Sequence, residues 1–274
     1  MRFLACLLLA LTLLSACAHK DEKEKPEKPV EELYREARKA FDKKEYKTAA
    51  ENFDEVERQH PYSQWATQAK LMSAYSSYEA EDYDTALTTL NDFIELHPGH
   101  PDIAYAYYMR AICYYEQIVD VERDQEQTKA AMDALSEVIR RFPDTKYARD
   151  AKFKKDLTMD HLAGKEMDIG RYYLKRHFYQ AAINRFKVVV NQYQTTTHTP
   201  EALHRLVEAY LALGLPDEAK KMGAILGYNY PGSEWYQASY SLLTSGKTLQ
   251  LEKPKKPATT TAGKLKDSVT GLFD

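Results

Sequence analysis

From Val30 to Ser245 apolar residues recur at helical spacing, and the pattern itself repeats. Tyr46, Ala49, Phe53, Val56 and Pro61 are matched 37 residues later by Tyr83, Ala86, Leu90, Phe93 and Pro98. A third copy carries Ala131, Leu135, Val138 and Pro143, and a fourth carries Tyr179, Ala182, Phe186 and Val189. The fifth has Ala219, Leu226 and Pro231, with Gly223 in place of the large residue. A second helical segment precedes each set, with Ala37, Ala74, Ala111, Gly170 or Val207 near its middle. Antiparallel helices approach closely where small residues face each other, and large apolar groups fill the space alongside. Pro ends the second helix because it lacks an N–H and disfavours helix in the residue before it. One such pair cannot bury its own apolar face, so the pairs must stack. The pattern predicts an all-α solenoid of five helix pairs.

The spacing is not uniform. The Ala anchors at 49, 86, 131, 182 and 219 are separated by steps of 37, 45, 51 and 37. In the third copy the polar stretch Val119 to Gln125 reads as an inserted loop, with Asp124 and Gln127 placed to form a capping box for the next helix. After Pro143, Tyr147, Ala151, Leu157, Leu162, Ile169 and Tyr173 run without a breaker to Lys175. That predicts one helix of about 30 residues, roughly 45 Å long, joining a three-repeat half to a two-repeat half. Thr199-Pro200 reads as N-cap and first helical position of a later helix. Five copies in phase resemble the tetratricopeptide repeat.

The first residues read differently. Arg2 followed by the apolar run Phe3 to Leu14 has the form of a secretory signal, too short to cross a bilayer. It closes on Leu14-Ser15-Ala16-Cys17, which resembles the lipobox of bacterial lipoproteins. That resemblance implies diacylglycerol and acyl groups on Cys17 and attachment to the membrane by lipid alone. Ala18, where an Asp tends to retain such proteins in the inner membrane, favours the periplasmic face of the outer membrane. The expected divisions are a signal peptide at 1–16, lipidated Cys17 with a charged linker at 17–29, and an N-terminal half at 30–143. The joining helix and C-terminal half follow at 144–250, and a disordered tail at 251–274. Within the tail, Leu265 to Phe273 keep some helical spacing, as a short docking helix would.

Composition narrows the function. Gly and Pro number 10 and 11, too few turn-formers for an all-β chain of this length. The formal charge of -3 argues against nucleic acid as a partner, since counterion release needs clustered Lys and Arg. No phosphate loop, His-Glu-x-x-His, Cys-x-x-Cys or Gly-x-Ser-x-Gly occurs, so the sequence reads as non-enzymatic, with no metal or other cofactor. His97 and His100 flank a Pro-Gly break, and His97 shares its place in the repeat with His60. Cys113, in a Tyr-rich helical stretch, reads as a buried small hydrophobe. The first helices of the pairs are rich in Tyr: 34, 75, 78, 105, 107, 108, 114, 115, 172 and 173. Most must be packing residues. The rest, with Arg38 and Arg110, are suited to a groove for an extended peptide.

A more specific resemblance lies in His97-Pro98-Gly99-His100-Pro101, Tyr105, Tyr108-Met109-Arg110, Asp120, Arg123-Asp124, Phe142-Pro143-Asp144-Thr145, Tyr147, Glu166, Tyr172-Tyr173, Arg176 and Ala182-Ile183-Asn184-Arg185. Over about residues 30–245 the chain resembles the BamD (ComL/YfiO) family, lipoproteins of the outer-membrane β-barrel assembly machinery. The resemblance implies an adaptor whose C-terminal repeats dock on a periplasmic domain of the central β-barrel subunit, with Arg185, Arg176 and Asn184 at the contact. It implies that the N-terminal repeats receive the targeting segment of unfolded outer-membrane proteins, with Tyr75, Tyr78, Tyr108 and Arg110 as groove residues. Accessory assembly lipoproteins are further expected partners. The rival reading is a repeat lipoprotein that scaffolds cell-wall enzymes or envelope division.

Overall fold

The computed structural model describes residues 27–121 and 123–245. The signal segment, Cys17, most of the charged linker and the C-terminal segment from 246 lie outside the described residues. Those described form eleven α-helices and no strand, grouped in two compact units that divide between Ala80 and Glu81. Pro143, where the repeat pattern divides three copies from two, lies inside the second unit.

The first unit holds α1 (Val30–Asp42), α2 (Tyr46–Gln59) and α3 (Gln64–Glu79). Its core is Leu33, Ala37 and Ala40 of α1, Ala49, Phe53 and Val56 of α2, and Ala69 of α3. The Tyr34 ring meets Phe53 edge-on at 5.4 Å and Trp65 at 4.8 Å. Ser63 starts α3 by accepting the Ala66 N–H at 3.1 Å.

The second unit holds α4 (Tyr83–Leu96), α5 (Ile103–Glu116), α6 (Glu126–Arg141), α7 (Lys146–Lys175), α8 (Tyr179–Gln192), α9 (Thr199–Ala212), α10 (Pro216–Asn229) and α11 (Glu234–Thr244). Each helix packs on the next, and α11 covers α9 and α10. The predicted long helix is α7, at 30 residues.

Burial follows the repeat. The anchors Ala49, Ala86, Ala131, Ala182 and Ala219 are wholly enclosed, as are Phe53, Leu90, Leu135 and Phe186 at the large position. The turns repeat too. Lys44, Glu81, His177 and Gly214 have φ of 62°, 60°, 63° and 73°, so a left-handed residue follows the first helix of four copies. In all five copies one residue closes the second helix with φ between -124° and -136°: His60, His97, Phe142, Tyr193 and Tyr230. His97 and Phe142 turn their rings onto Phe93 and Tyr107, each at 5.3 Å, which explains a histidine there without any ligand.

Gly170 and Gly223 are two of the sites of closest approach. A Cβ on Gly170 would lie within 2.8 Å of Phe186 Cδ1 and Cζ, so α8 seats its largest core ring on α7 where α7 has no side chain. The large residue absent at Gly223 is supplied from elsewhere: Leu243 of α11 reaches to 2.6 Å from where a Cβ would stand.

Two expected helix starts differ from the sequence reading. The residue preceding α6 is Gln125, and no Asp124–Gln127 capping box sets that start. Asp124 accepts the N–H of Glu126 at 2.9 Å. Gln125, 7% exposed, donates to the carbonyls of Asp120 and Arg123 at 3.1 and 3.0 Å and accepts from Thr128 at 3.0 Å. The inserted loop is thus wound around one buried amide, whose bonding capacity would be wasted on a single cap. Likewise α9 starts one residue earlier than expected, with Thr199 inside it and His198 before it. The Thr199 hydroxyl donates to Tyr193 and Gln194 carbonyls at 3.0 and 3.1 Å and closes off α8 instead of capping α9.

Candidate functional site

In the second unit the aromatic residues of α5 meet α7 along one face. Tyr105 and Tyr108 pack on Tyr147 at 5.7 and 5.2 Å. The Tyr108 hydroxyl donates to Asp150 Oδ2 at 2.6 Å, and Lys154 Nζ lies 3.1 Å from the same oxygen. Lys154 also sits 5.6 Å over the Tyr115 ring. Burial alone would raise the Asp150 pKa. The Tyr108 hydroxyl and the Lys154 ammonium outweigh it and hold the carboxyl below its ordinary value. The result is an aromatic shelf with a fixed charge pair. It supplies flat apolar area and hydrogen-bonding edges, the combination that holds an extended peptide.

Of the four expected groove residues, two lie in each unit. Tyr75 and Tyr78 belong to the first unit, where their rings stack at 6.2 Å and Phe41 packs on Tyr75 at 5.5 Å. Burial, then the nearby Glu79, raises the Tyr75 pKa. Tyr108 and Arg110 are both on α5 but reach different neighbours. Arg110 bonds Glu137 of α6 at 2.5 Å and Asn91 of α4 at 3.2 Å, and lies 4.9 Å over Tyr107. Arg141 lies 5.1 Å from that ring and 2.7 Å from Glu137, so the two guanidinium groups share one ring and one carboxylate. Tyr147, Asp150 and Lys154 complete the Tyr108 shelf, and the last two escaped the sequence reading. The Asp150–Lys154 spacing of four was a legible signal; the bond from Tyr108, 42 residues away, was not.

Of the three expected docking residues, Arg176 follows the end of α7, and Asn184 and Arg185 lie near the middle of α8. Asn184 and Arg176 are exposed, with Arg176 4.6 Å over the Tyr172 ring. Arg185 Nη1 lies 3.1 Å from Glu166 of α7, and its side chain remains 42% exposed. Burial, with Glu166 nearby, raises the Tyr193 pKa. Glu166 and Tyr193 line a cleft of about 360 Å³ with Arg123, Lys129 and Lys165. The Arg185–Glu166 pair is part-buried, with the Glu166 side chain 20% exposed, so Arg185 is held from inside while part of its guanidinium still faces outward.

Among the described residues no three His, Cys, Asp or Glu side chains gather as metal ligands, and no helix is long and apolar enough to cross a membrane. His100 Nδ1 accepts the Asp102 N–H at 3.1 Å. Cys113 is fully buried, and burial pushes its thiol up to about 12.

Residues 26–225 match the YfiO family, described as an outer membrane lipoprotein. The chain is 48% identical over 256 residues to the outer membrane protein assembly factor BamD of Caulobacter vibrioides, covering 92% of this chain and 84% of that one. It is 50% identical over 242 residues to the BamD of Rickettsia prowazekii, covering 88% and 96%. Identity to the BamD of Neisseria meningitidis is 34% over 235 residues, covering 80% and 88%. Among solved structures, a thermophilic TPR protein of Thermus thermophilus aligns over 78% of this chain and 98% of its own at 18% identity, with a TM-score of 0.37. The repeat architecture stands on the packing above and not on that alignment.

Proposed function

The chain belongs to the YfiO family of outer membrane lipoproteins, and from that premise we propose that it is a non-catalytic adaptor for assembly of outer-membrane β-barrel proteins. The observation that carries the reading is the pair of relatives, at 48% and 50% identity over most of both chains, that bear the name of assembly factor. Lipid on Cys17 anchors the adaptor at the periplasmic face of the outer membrane; two or more acyl chains give stable attachment where one does not. Anchoring raises the effective concentration of whatever the repeats hold, so no nucleotide or metal chemistry is required.

Two surfaces divide the work. The exposed Asn184 and Arg176, with the partly exposed Arg185, form the docking face for a periplasmic domain of the central β-barrel subunit. The Tyr108–Tyr147 shelf takes the extended targeting segment of unfolded barrels, and Tyr75 and Tyr78 offer a second stacked aromatic site in the first unit. Accessory assembly lipoproteins complete the set of partners. Capture from detergent-solubilised envelopes, with intact lipoprotein and an Arg185→Glu variant side by side, tests this. Wild type retains a large β-barrel protein and the variant loses it. Retention of cell-wall enzymes with no barrel protein by the wild type would overturn the assembly reading in favour of a scaffold.

A further inference from the structure

Beside the shelf, the C-terminal end of α5, the inserted loop and the middle of α7 enclose a cleft of about 530 Å³, within the roughly 300–1,000 Å³ range of ligand pockets. Tyr115, Ile118 and Leu157 contribute its apolar wall, and Glu116 and Asp120 stand in its polar part. Leu157 is 45% exposed, so the wall has apolar area left to cover.

The charge in this cleft is set against the fold. Glu116 is the last residue of α5, and the last turn of that helix carries no basic residue. The C-terminal end of a helix bears a partial negative charge, so it repels a carboxylate and attracts a cation. Glu116 is exposed and forms no ion pair among the described residues. Asp120 brings a second carboxylate to the same cleft. Lys154, over the Tyr115 ring at 5.6 Å, is matched by Asp150 at 3.1 Å and does not neutralise them.

His161 also lines the cleft, and its Nε2 is buried with no hydrogen-bond partner among the described residues. With the ring proton on Nδ1, that nitrogen accepts an N–H, and a buried acceptor left unmet is costly. Glu116, Asp120 and His161 do not gather as metal ligands, and the apolar wall offers a bare ion nothing.

We infer that the cleft binds an organic cation, an ammonium or guanidinium group carried on an aliphatic or aromatic stem. The stem lies on Tyr115, Ile118 and Leu157, as the methylenes of Lys and Arg cover apolar surface. The head faces Glu116 and Asp120, and one of its N–H groups meets His161. A free amine and a Lys or Arg side chain of another polypeptide share this chemistry. The inference rests on the cleft and not on the assembly reading above.

Fluorine NMR of para-fluorophenethylamine, titrated with full-length lipidated protein in detergent, tests it, with protein-free micelles as the baseline. The amine should bind saturably. The uncharged para-fluorophenethyl alcohol should bind at least about tenfold more weakly, the effect of losing about 1.4 kcal/mol of contact. Glu116→Gln should remove most of that difference. Asp217→Asn, at a carboxylate 87% exposed on α10, should leave it unchanged. Competition separates the two sources. N-acetyl-lysine N-methylamide displaces the probe more strongly if the natural occupant is a polypeptide side chain, and cadaverine does so if it is a free amine. No saturable binding, equal binding of amine and alcohol, or a Glu116→Gln effect no larger than that of Asp217→Asn would each overturn the inference.

Discussion

The ring of Phe186 lies where a side chain on Gly170 would be, with Cδ1 and Cζ within 2.8 Å of the position a Cβ would take. Phe186 is wholly buried and cannot swing aside, so the long helix and its partner depend on that absent side chain for their separation. Gly170→Ala should therefore destabilise the protein by about 1–3 kcal/mol through overpacking, despite the roughly 0.5–1 kcal/mol that Ala gains over Gly inside a helix. Urea unfolding followed by circular dichroism reads the sign directly.

Gly214 has a different reason to be glycine. Its φ is 73° and nothing lies within 4 Å of where its Cβ would be. Gly214→Ala should cost roughly 1–2 kcal/mol from the left-handed backbone alone, with no change in core packing. Unchanged near-ultraviolet circular dichroism with a lowered urea midpoint is the expected pair of results.

Tyr108→Phe removes the hydroxyl that holds Asp150. A bond to a charged but 41% exposed carboxylate is worth about 1 kcal/mol after allowance for solvent screening. The folded pKa of Asp150 lies below its unfolded value. Its contribution is therefore complete above the ordinary Asp range and is lost as pH falls through the folded value. Wild type and variant should differ in urea midpoint at pH 7, and the difference should shrink as pH falls below the ordinary Asp range and the carboxyl takes up its proton.

Cys113, buried and with its thiol pushed up to about 12, should resist alkylation in the native protein at about pH 8 and react fully in urea. Peptide mass spectrometry resolves it from the other cysteines.

The Arg185–Glu166 pair separates an internal role from a partner contact. A charge-swapped double variant, Glu166→Arg with Arg185→Glu, restores attraction inside the chain but presents the wrong sign outward. Stability should return to within about 1 kcal/mol of wild type, while capture of the barrel subunit stays lost. Recovery of capture on swapping would show that Arg185 acts only within the chain.

Much of this was legible beforehand because stacking imposes the same demand on every copy. Ala49, Ala86, Ala131, Ala182 and Ala219 each meet a neighbouring helix, so their spacing carries the fold. Cross-chain chemistry was not legible. Tyr108 and Asp150 belong to different copies, and so do Arg110 and Asn91. Gln125 offered no periodic signal, since a buried amide that satisfies a loop is recognised only by its partners. Gly223 looked like a lapse in the pattern because the residue that replaces the missing bulk, Leu243, comes from outside the repeat.

Depletion of the protein from living cells tests the central claim most directly, with folded outer-membrane β-barrels measured by their altered gel mobility before and after heating. The adaptor account predicts that folded barrels fall and unfolded precursors accumulate before growth slows. Normal levels of folded barrels after depletion would contradict it.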